Sequence, residues 1–162
     1  MNNLNIRKAN ACDAQQLTDL ALRSKAVWGY DKVFMAECAD ELRVDKHQVT
    51  AVGNICYVAT LDKKVVGYYS VAFDTELNAE NEAELEALFI EPDYLGLGIG
   101  KQLFLHAISK CQEFSLAKLH IQADPNAETF YIKVGAKLIG KTPSLSIKNR
   151  FLPQFVYHIN QT

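Results

Sequence analysis

The sequence has no hydrophobic run that approaches the ~18 apolar residues of a membrane-spanning helix. Its first ten residues, MNNLNIRKAN, lack the apolar centre of a secretory signal. The charges nearly balance, with 17 basic and 19 acidic side chains, so no net positive charge is available to hold a nucleic acid backbone. From these absences we expect a cytoplasmic protein that binds neither a membrane nor a nucleic acid.

Patterns of metal ligands are also missing. The four cysteines include no CxxC pair, and the four histidines are scattered along the chain. We therefore expect reduced thiols and no metal site. A chain of 162 residues is long enough to bury one good core, which predicts a single domain over residues 1–162.

The most informative stretch is LFIEPDYLGLGIGKQLFL, residues 88–105. An apolar run breaks at Pro92, three glycines follow on alternate positions, and an amphipathic helix begins at about Lys101. A glycine-rich turn before a helix exposes backbone N–H groups, to which the helix dipole adds partial positive charge. Three alternating glycines exceed what an ordinary tight turn needs, so the pattern favours a phosphate-binding turn.

The remaining patterns predict a mixed α/β fold. The predicted helices cover 13–25 with Asp13 as cap, 31–43 with Asp31 as cap, 101–113, and 125–134 between Asp124 and Gly135. The predicted strands cover 4–9, a hairpin of 55–61 and 65–73, then 84–90, 116–123, 136–140 and 151–159. The polar connection 76–84 suits an exposed loop. Pro153 predicts that the last strand is bulged or lies at an edge.

The strand before the glycine turn carries acidic side chains. Strict alternation predicts one face formed by Glu84, Glu86, Leu88 and Ile90, and another formed by Leu85, Ala87 and Phe89. Glu86 lies nearer the turn and is either a candidate catalytic base or a solvent-facing carboxylate. Trp28 and Tyr30, which flank Gly29 between two helices, either line a substrate pocket or plug the core.

The spacing of the glycines separates the known phosphate-binding turns. A P-loop requires GxxxxGK[ST], but Leu95 replaces its first glycine and Gln102 replaces its hydroxyl residue. A dinucleotide-binding fold requires GxGxxG after its first strand, whereas here the pattern is GxGxG and several strands precede it. The dinucleotide fold remains only a minor alternative.

The whole element order resembles the GNAT acetyltransferase superfamily over residues 4–159. The motif [QR]xxGxG[AG] corresponds to residues 95–100, LGLGIG, and a motif close to NxxAxxFYxxxG corresponds to DPNAETFYIKVG, residues 124–135. Two positions depart from the family pattern. Leu95 replaces Gln or Arg, and Asp124 occupies the usual Asn position.

The resemblance implies a GNAT-like fold and acetyl-coenzyme A as co-substrate, without a metal. The implied cofactor-binding residues are the pantetheine contacts Leu88, Phe89, Ile90 and either Asp124 or Asn126, together with the pyrophosphate contacts Gly96, Leu97, Gly98, Ile99, Gly100 and Lys101. One strand N–H group would polarise the thioester carbonyl.

The resemblance also implies the chemistry. Glu86 would accept the amine proton through water, Tyr131 would protonate the leaving thiolate, and Trp28 and Tyr30 would contact the acceptor. We therefore expect an N-acetyltransferase acting on a primary amine of a small molecule or peptide. A homodimer through the C-terminal strands is a candidate assembly, and a non-catalytic acyl-coenzyme A sensor is the alternative function.

Overall fold

A computed structural model of the chain describes residues 3–76 and 80–160. The helices in this part of the chain are α1 (Ala14–Ala26), α2 (Lys32–Leu42), α3 (Lys46–Val49), α4 (Ile99–Glu113) and α5 (Glu128–Lys133). The strands are β1 (Leu4–Lys8), β2 (Asn54–Leu61), β3 (Lys64–Ala72), β4 (Glu82–Ile90), β5 (Lys118–Gln122), β6 (Lys137–Pro143) and β7 (Phe151–His158). The predicted mixed α/β fold is confirmed, and α3 is an addition to it.

The strands form one seven-stranded sheet in the order β1-β2-β3-β4-β5-β7-β6. Neighbouring strands are antiparallel except β4 and β5, which are parallel because α4 carries the chain back between them. The predicted polar connection before β4 includes residues 77–79, which lie outside the described residues. Strand β4 begins at Glu82, two residues earlier than the pattern predicts.

The two faces of the sheet bury two separate cores. On one face, α4 contributes Leu103 and Phe104 to a cluster with Leu85 and Phe155. On the other face, the α1 residues Leu17, Leu20 and Ala21 pack with side chains of β2, β3 and β4. The helical spacing of these leucines is what directs one apolar stripe of α1 toward the sheet.

Two of the three predicted N-caps are correct: Asp31, and also Asp124, whose carboxylate accepts from the Asn126 amide at 2.9 Å in the turn that leads into α5. Asp31 accepts a hydrogen bond from the Phe34 amide at 2.8 Å, at the start of α2. Asp13 makes no side-chain cap bond to α1. Its carboxylate instead accepts from the Arg7 guanidinium at 2.9 and 3.0 Å and from the Asn10 amide at 2.8 Å. The ion pair to β1 therefore replaces the expected cap.

The alternation predicted along β4 is wrong because the strand contains a bulge. In the register with β3, Val71 opposes Leu85 and Ser70 opposes Ala87, so Glu86 is an extra residue. The extra residue reverses the faces of the sheet toward which the later side chains of β4 point. Leu85 consequently shares the α4-side core with Leu88 and Ile90, whereas Ala87 and Phe89 pack toward α1.

The prediction for Pro153 is also wrong. Strand β7 lies inside the sheet, paired with β5 on one side and β6 on the other, and Pro153 is buried in it. The irregularity occurs in the partner strand, where the register of β6 shifts between Leu138 and Gly140. Pro153 lies one residue beyond the last β5 pair, so its missing N–H group does not interrupt that ladder.

Candidate active site

The glycine turn opens directly into α4. Gly96 and Gly98 have φ angles of 80° and 81°, in the left-handed region that favours glycine. Gly98 is the N-cap residue, and its carbonyl accepts the first helical hydrogen bond from Gln102 at 3.1 Å. The N–H groups of Ile99, Gly100 and Lys101 therefore have no helical acceptor and point out of the helix end. They form an open amide surface that suits an anion.

Gly100 serves a different purpose from the other two glycines. It has no positive φ, but a Cβ atom at this position would lie 3.2 Å from Cε1 of Phe130. The absent side chain lets the first turn of α4 pack closely against α5. The two sequence motifs that suggested the family are thus in direct contact.

Strands β4 and β5 separate next to this turn. Within the described residues they pair only from Glu82 to Leu85 and from Lys118 to Ile121, although β4 continues to Ile90. The Glu91 amide donates to the Val66 carbonyl of β3 at 2.8 Å. Because backbone groups alternate sides along a strand, the amides of Leu88 and Ile90 then face the open side, and that of Phe89 faces β3. The gap exposes a strand edge suited to an extended ligand.

The C-terminal turn of α1 is bonded to both sides of this gap. The Arg23 guanidinium donates two hydrogen bonds of 2.7 Å to the carboxylate of Glu91, which directly follows β4. Lys25 donates to Asp124, two residues beyond β5, at 3.0 Å. One helix end therefore holds the ends of two strands that do not pair with each other.

Tyr131 lies on α5, and its side chain is almost enclosed. The residue is 7% exposed and contacts the rings of Phe104, Phe130 and Phe155. Its hydroxyl has no hydrogen-bond partner among the described residues, and no polar side-chain atom in them is both fully buried and unpaired. The oxygen therefore reaches solvent. Burial raises the pKa of Tyr131, which keeps the hydroxyl protonated at neutral pH.

Glu86 occupies the bulge of β4, between Leu85, which packs toward α4, and Ala87, which packs toward α1. Its side chain is accessible to solvent, yet protein atoms surround it closely enough for desolvation to raise its pKa. The carboxylate of Glu84 raises the pKa of Glu86 further. A carboxylate with a raised pKa is a better proton acceptor than an ordinary surface glutamate.

The predicted cofactor residues Asp124 and Asn126 belong to a polar cluster. We call Lys25, Tyr30, Asp124, Asn126 and Arg150 the Asp124 cluster. The Asp124 carboxylate accepts from Lys25 at 3.0 Å, the Tyr30 hydroxyl at 2.9 and 3.0 Å, the Asn126 amide at 2.9 Å and Arg150 at 3.2 Å. The Tyr30 hydroxyl accepts from Arg150 at 2.7 Å and from the Asn126 side chain at 3.0 Å.

Charge and burial determine the ionisation of this cluster. Burial alone would raise the pKa of Asp124, but the Asn126 amide and the Lys25 ammonium outweigh it and lower that pKa to about 2. Burial and the adjacent Asp124 carboxylate raise the pKa of Tyr30 to about 12. At neutral pH the cluster therefore contains an ionised Asp124 and a protonated Tyr30.

The two aromatic residues between α1 and α2 lie in different environments. Tyr30 is in the Asp124 cluster, and its ring stacks on Phe34 with centroids 4.0 Å apart. Trp28 is 47% exposed and is absent from both cores, so it does not plug the core. Sequence reasoning missed Lys25 and Arg150, because nothing in the local sequence marks partners that are 99 and 26 residues from Asp124.

The part of the chain that the structure describes contains no group of three or more His, Cys, Asp or Glu residues arranged to hold a metal ion. Within the same residues, no helix is long and apolar enough to span a membrane.

The family model for the acetyltransferase (GNAT) family matches residues 16–136, which is most of the chain. The chain belongs to this family, as the two motifs suggested.

Individual relatives are more distant. A 94-residue segment is 30% identical to an uncharacterized N-acetyltransferase in the pepI 3′ region of Lactobacillus delbrueckii subsp. lactis, covering 54% of each chain. A 58-residue segment is 40% identical to the peptidyl-lysine N-acetyltransferase YjaB of Escherichia coli, covering 36% of this chain and 38% of that protein. The matches thus span about half or less of the curated relatives.

Solved structures resemble the chain over nearly its whole length. The crystal structure of PaiA N-acetyltransferase from Thermoplasma acidophilum, in complex with coenzyme A, has a TM-score of 0.75 and 18% identity and covers 96% of this chain and 99% of that one. At 18% sequence identity, this similarity shows only that the two proteins share a fold.

Proposed function

We propose that the protein transfers the acetyl group of acetyl-coenzyme A to a primary amine by direct attack of the amine on the thioester. The main support for this function is that two sets of unpaired backbone groups meet at one place. The free amides at the start of α4 lie beside the part of β4 that has no β5 partner, since a Cβ atom on Gly100 would lie 3.8 Å from Cγ1 of Ile90. This junction offers an anion site and a strand edge to one ligand that contains both a pyrophosphate and an amide-bearing arm.

The amides of residues 96–101 bind the pyrophosphate in this proposal. The open edge of β4 at Leu88 and Ile90 pairs with the pantetheine arm as an added strand would. The Phe89 amide faces β3, so it does not hydrogen-bond the pantetheine arm. Asn126 and Asp124 lie at the β5 side of the gap, and since the Asp124 carboxylate is already bonded to four residues, Asn126 is the better pantetheine contact of the two.

Glu86 is the proposed base. An alkyl amine is protonated at pH 7 and must lose a proton before it attacks the carbonyl carbon. Glu86 accepts that proton directly or through a water molecule, and its raised pKa favours the transfer. Attack forms the C–N bond and leaves the carbonyl oxygen negatively charged. A cleft-facing strand amide donates a hydrogen bond to that oxygen.

Tyr131 is the proposed acid. When the tetrahedral intermediate collapses, the C–S bond breaks and coenzyme A leaves as a thiolate. The Tyr131 hydroxyl is protonated, has no hydrogen-bond partner in the described residues and reaches solvent, so it is available to donate to the sulfur. Its position on α5, which packs against the start of α4 through Phe130 and Gly100, supports this role.

A paired experiment tests the function. Calorimetry measures coenzyme A binding, and thiol release from acetyl-coenzyme A is followed with a panel of small amines and peptide amines. We expect binding and amine-dependent thiol release, with the acetyl group recovered on the amine. Binding without release on any amine would instead support a non-catalytic acyl-coenzyme A sensor, for which exposed Leu95 in the usual Gln or Arg position is the favouring observation. Absence of binding would contradict both functions.

A further inference from the structure

In the proposed function, on which the following inference rests, the two reactants reach the gap between β4 and β5 from opposite faces of the sheet. The glycine turn leads into α4, which covers the face containing Leu85 and Phe155. The bulge places Glu86 next to Ala87, which packs on the other face toward α1, and Lys25 in the last turn of α1 belongs to the Asp124 cluster. The acceptor amine therefore enters past Glu86 and the Asp124 cluster.

Arg150 has unused donors at this entrance. Its side chain is 17% exposed, and its hydrogen bonds to described residues all come from Nη2, to Tyr30 at 2.7 Å and to Asp124 at 3.2 Å. Nε and Nη1 have no partner among the described residues, and neither atom is sealed from solvent. The guanidinium carbon lies 4.7 Å from the centre of the Phe34 ring and 5.2 Å from that of Tyr30. Contact with the two aromatic rings fixes the plane of the Arg150 guanidinium, and its Nε and Nη1 N–H groups remain available to bind a ligand.

The charges of the Asp124 cluster do not cancel. Lys25 and Arg150 both contact one carboxylate, that of Asp124, so these three side chains carry a net charge of one positive unit. Lys25 and Asp124 are 13% and 14% exposed, so water screens this charge only in part. A partly desolvated, uncompensated cation is stabilised by an incoming anion.

The strand register limits how far Glu86 lies from the Asp124 cluster. Leu85 opposes Ile121 in the last β4–β5 pair, Glu86 directly follows Leu85, and Asp124 lies three residues after Ile121. Three residues of extended chain span about 10 Å. We propose that Arg150 binds a carboxylate of the acceptor while Glu86 receives its amine. The acceptor is then an amine that also carries a carboxylate nearby, as in a free amino acid or a short peptide.

A recess at the start of β4 suggests a different acceptor. It has a volume of about 300 Å³ and is lined by Asp74, Glu82, Glu84 and His120 among others. Glu82 in that recess already lies 3.8 Å from Lys118 and 3.3 Å from His120. A polyamine is the natural ligand for such an acidic surface, and it serves below as the competing substrate.

Matched acceptors test the proposal. Each of a set of α-amino acids and dipeptides is compared with its C-terminal carboxamide, and putrescine and spermidine are included. The wild-type protein is expected to prefer the carboxylate over the carboxamide by at least about tenfold in kcat/KM. In Arg150→Gln this ratio should fall toward one, through a higher KM for the carboxylate and little change for the carboxamide. Arg150→Lys should restore part of the preference.

Arg43→Gln, a change at an exposed arginine after α2, is the matched control and should keep the wild-type ratio. Coenzyme A calorimetry on Arg150→Gln verifies that the variant is folded. Equal rates on acid and carboxamide, a ratio unchanged by Arg150→Gln, or preferred turnover of polyamines would overturn the assignment of Arg150 while leaving the proposed function intact. Lack of thiol release with every amine would overturn both.

Discussion

Two side chains account for proton transfer in the proposed reaction, and each owes its properties to a local feature. Tyr131 is enclosed by aromatic rings that keep it protonated, while its oxygen reaches solvent. Glu86 is displaced by one residue from regular pairing with β3. The family resemblance suggested both residues. The bulge at Glu86 could not be predicted, because the sequence of β4 contains no residue type that signals where an extra residue interrupts the alternation.

Replacing Glu86 with Gln should lower kcat/KM for an amine at pH 7 by roughly 10² or more, because the base is lost. In the wild-type protein, kcat/KM should rise with pH as Glu86 deprotonates, at a pH above the ordinary range of a glutamate. This limb should be missing from the pH profile of Glu86→Gln.

The neighbouring Glu84→Gln variant is the control for that profile. The Glu84 carboxylate is one of the two causes that raise the pKa of Glu86, so its removal should shift the limb to lower pH and retain activity. A limb that persists in Glu86→Gln would assign the base to another group.

At the scale of elements, most helices and strands could be predicted because each has a local signal. The apolar spacing of α1, the Asp31 cap of α2 and the left-handed Gly135 after α5 all act within a few residues. The separation of β4 from β5 and the bonds from α1 to both strand ends depend on residues far apart in the chain. Such long-range features determine the shape of the site and had no sequence signal.

The glycine turn gives a prediction about backbone geometry. Gly98→Ala adds no collision with the described residues, none of which lies within 4 Å of the new Cβ, but it places a side chain on a residue with a φ of 81°. The strain should lower the free energy of unfolding by about 1 kcal/mol. Relaxation of the turn would also misalign the amides and weaken coenzyme A binding several-fold, as measured by calorimetry.

Gly29→Ala provides the matched control for this strain. Gly29 has a φ of 86°, lies in the turn after α1 and, like Gly98, has no described atom within 4 Å of an added Cβ. Its replacement should cost similar stability and leave coenzyme A affinity unchanged. Equal affinities for the two variants would show that the Gly98 conformation does not shape the anion site.

At the scale of the whole molecule, the Asp124 cluster ties three distant segments together: the region of α1 and α2, the end of β5, and the loop before β7. The pKa of Asp124 in the folded chain is about 2, below the ordinary value of 3.8. The ionised form is therefore favoured by folding, and its contribution to stability is complete above pH 4. The contribution is lost as the pH falls toward 2.

This difference corresponds to roughly 2 kcal/mol of unfolding free energy. Urea unfolding between pH 4 and pH 2 should show that loss in the wild-type protein and a shallower dependence in Asp124→Asn. Asp40→Asn, at an exposed position of α2, should retain the wild-type slope. Parallel slopes for wild type and Asp124→Asn would contradict the ion-paired state of Asp124.

One pair of variants tests whether Tyr131 is the acid in acetyl transfer at this site. Tyr131→Phe and Tyr157→Phe each remove a single hydroxyl from a ring that contacts Phe104, at centroid distances of 6.2 and 5.3 Å. Thiol release from acetyl-coenzyme A, measured at saturating amine, should fall by about 10² in Tyr131→Phe and stay near wild type in Tyr157→Phe. Coenzyme A affinity should be the same in both variants. An undiminished rate in Tyr131→Phe would show that Tyr131 is not the acid.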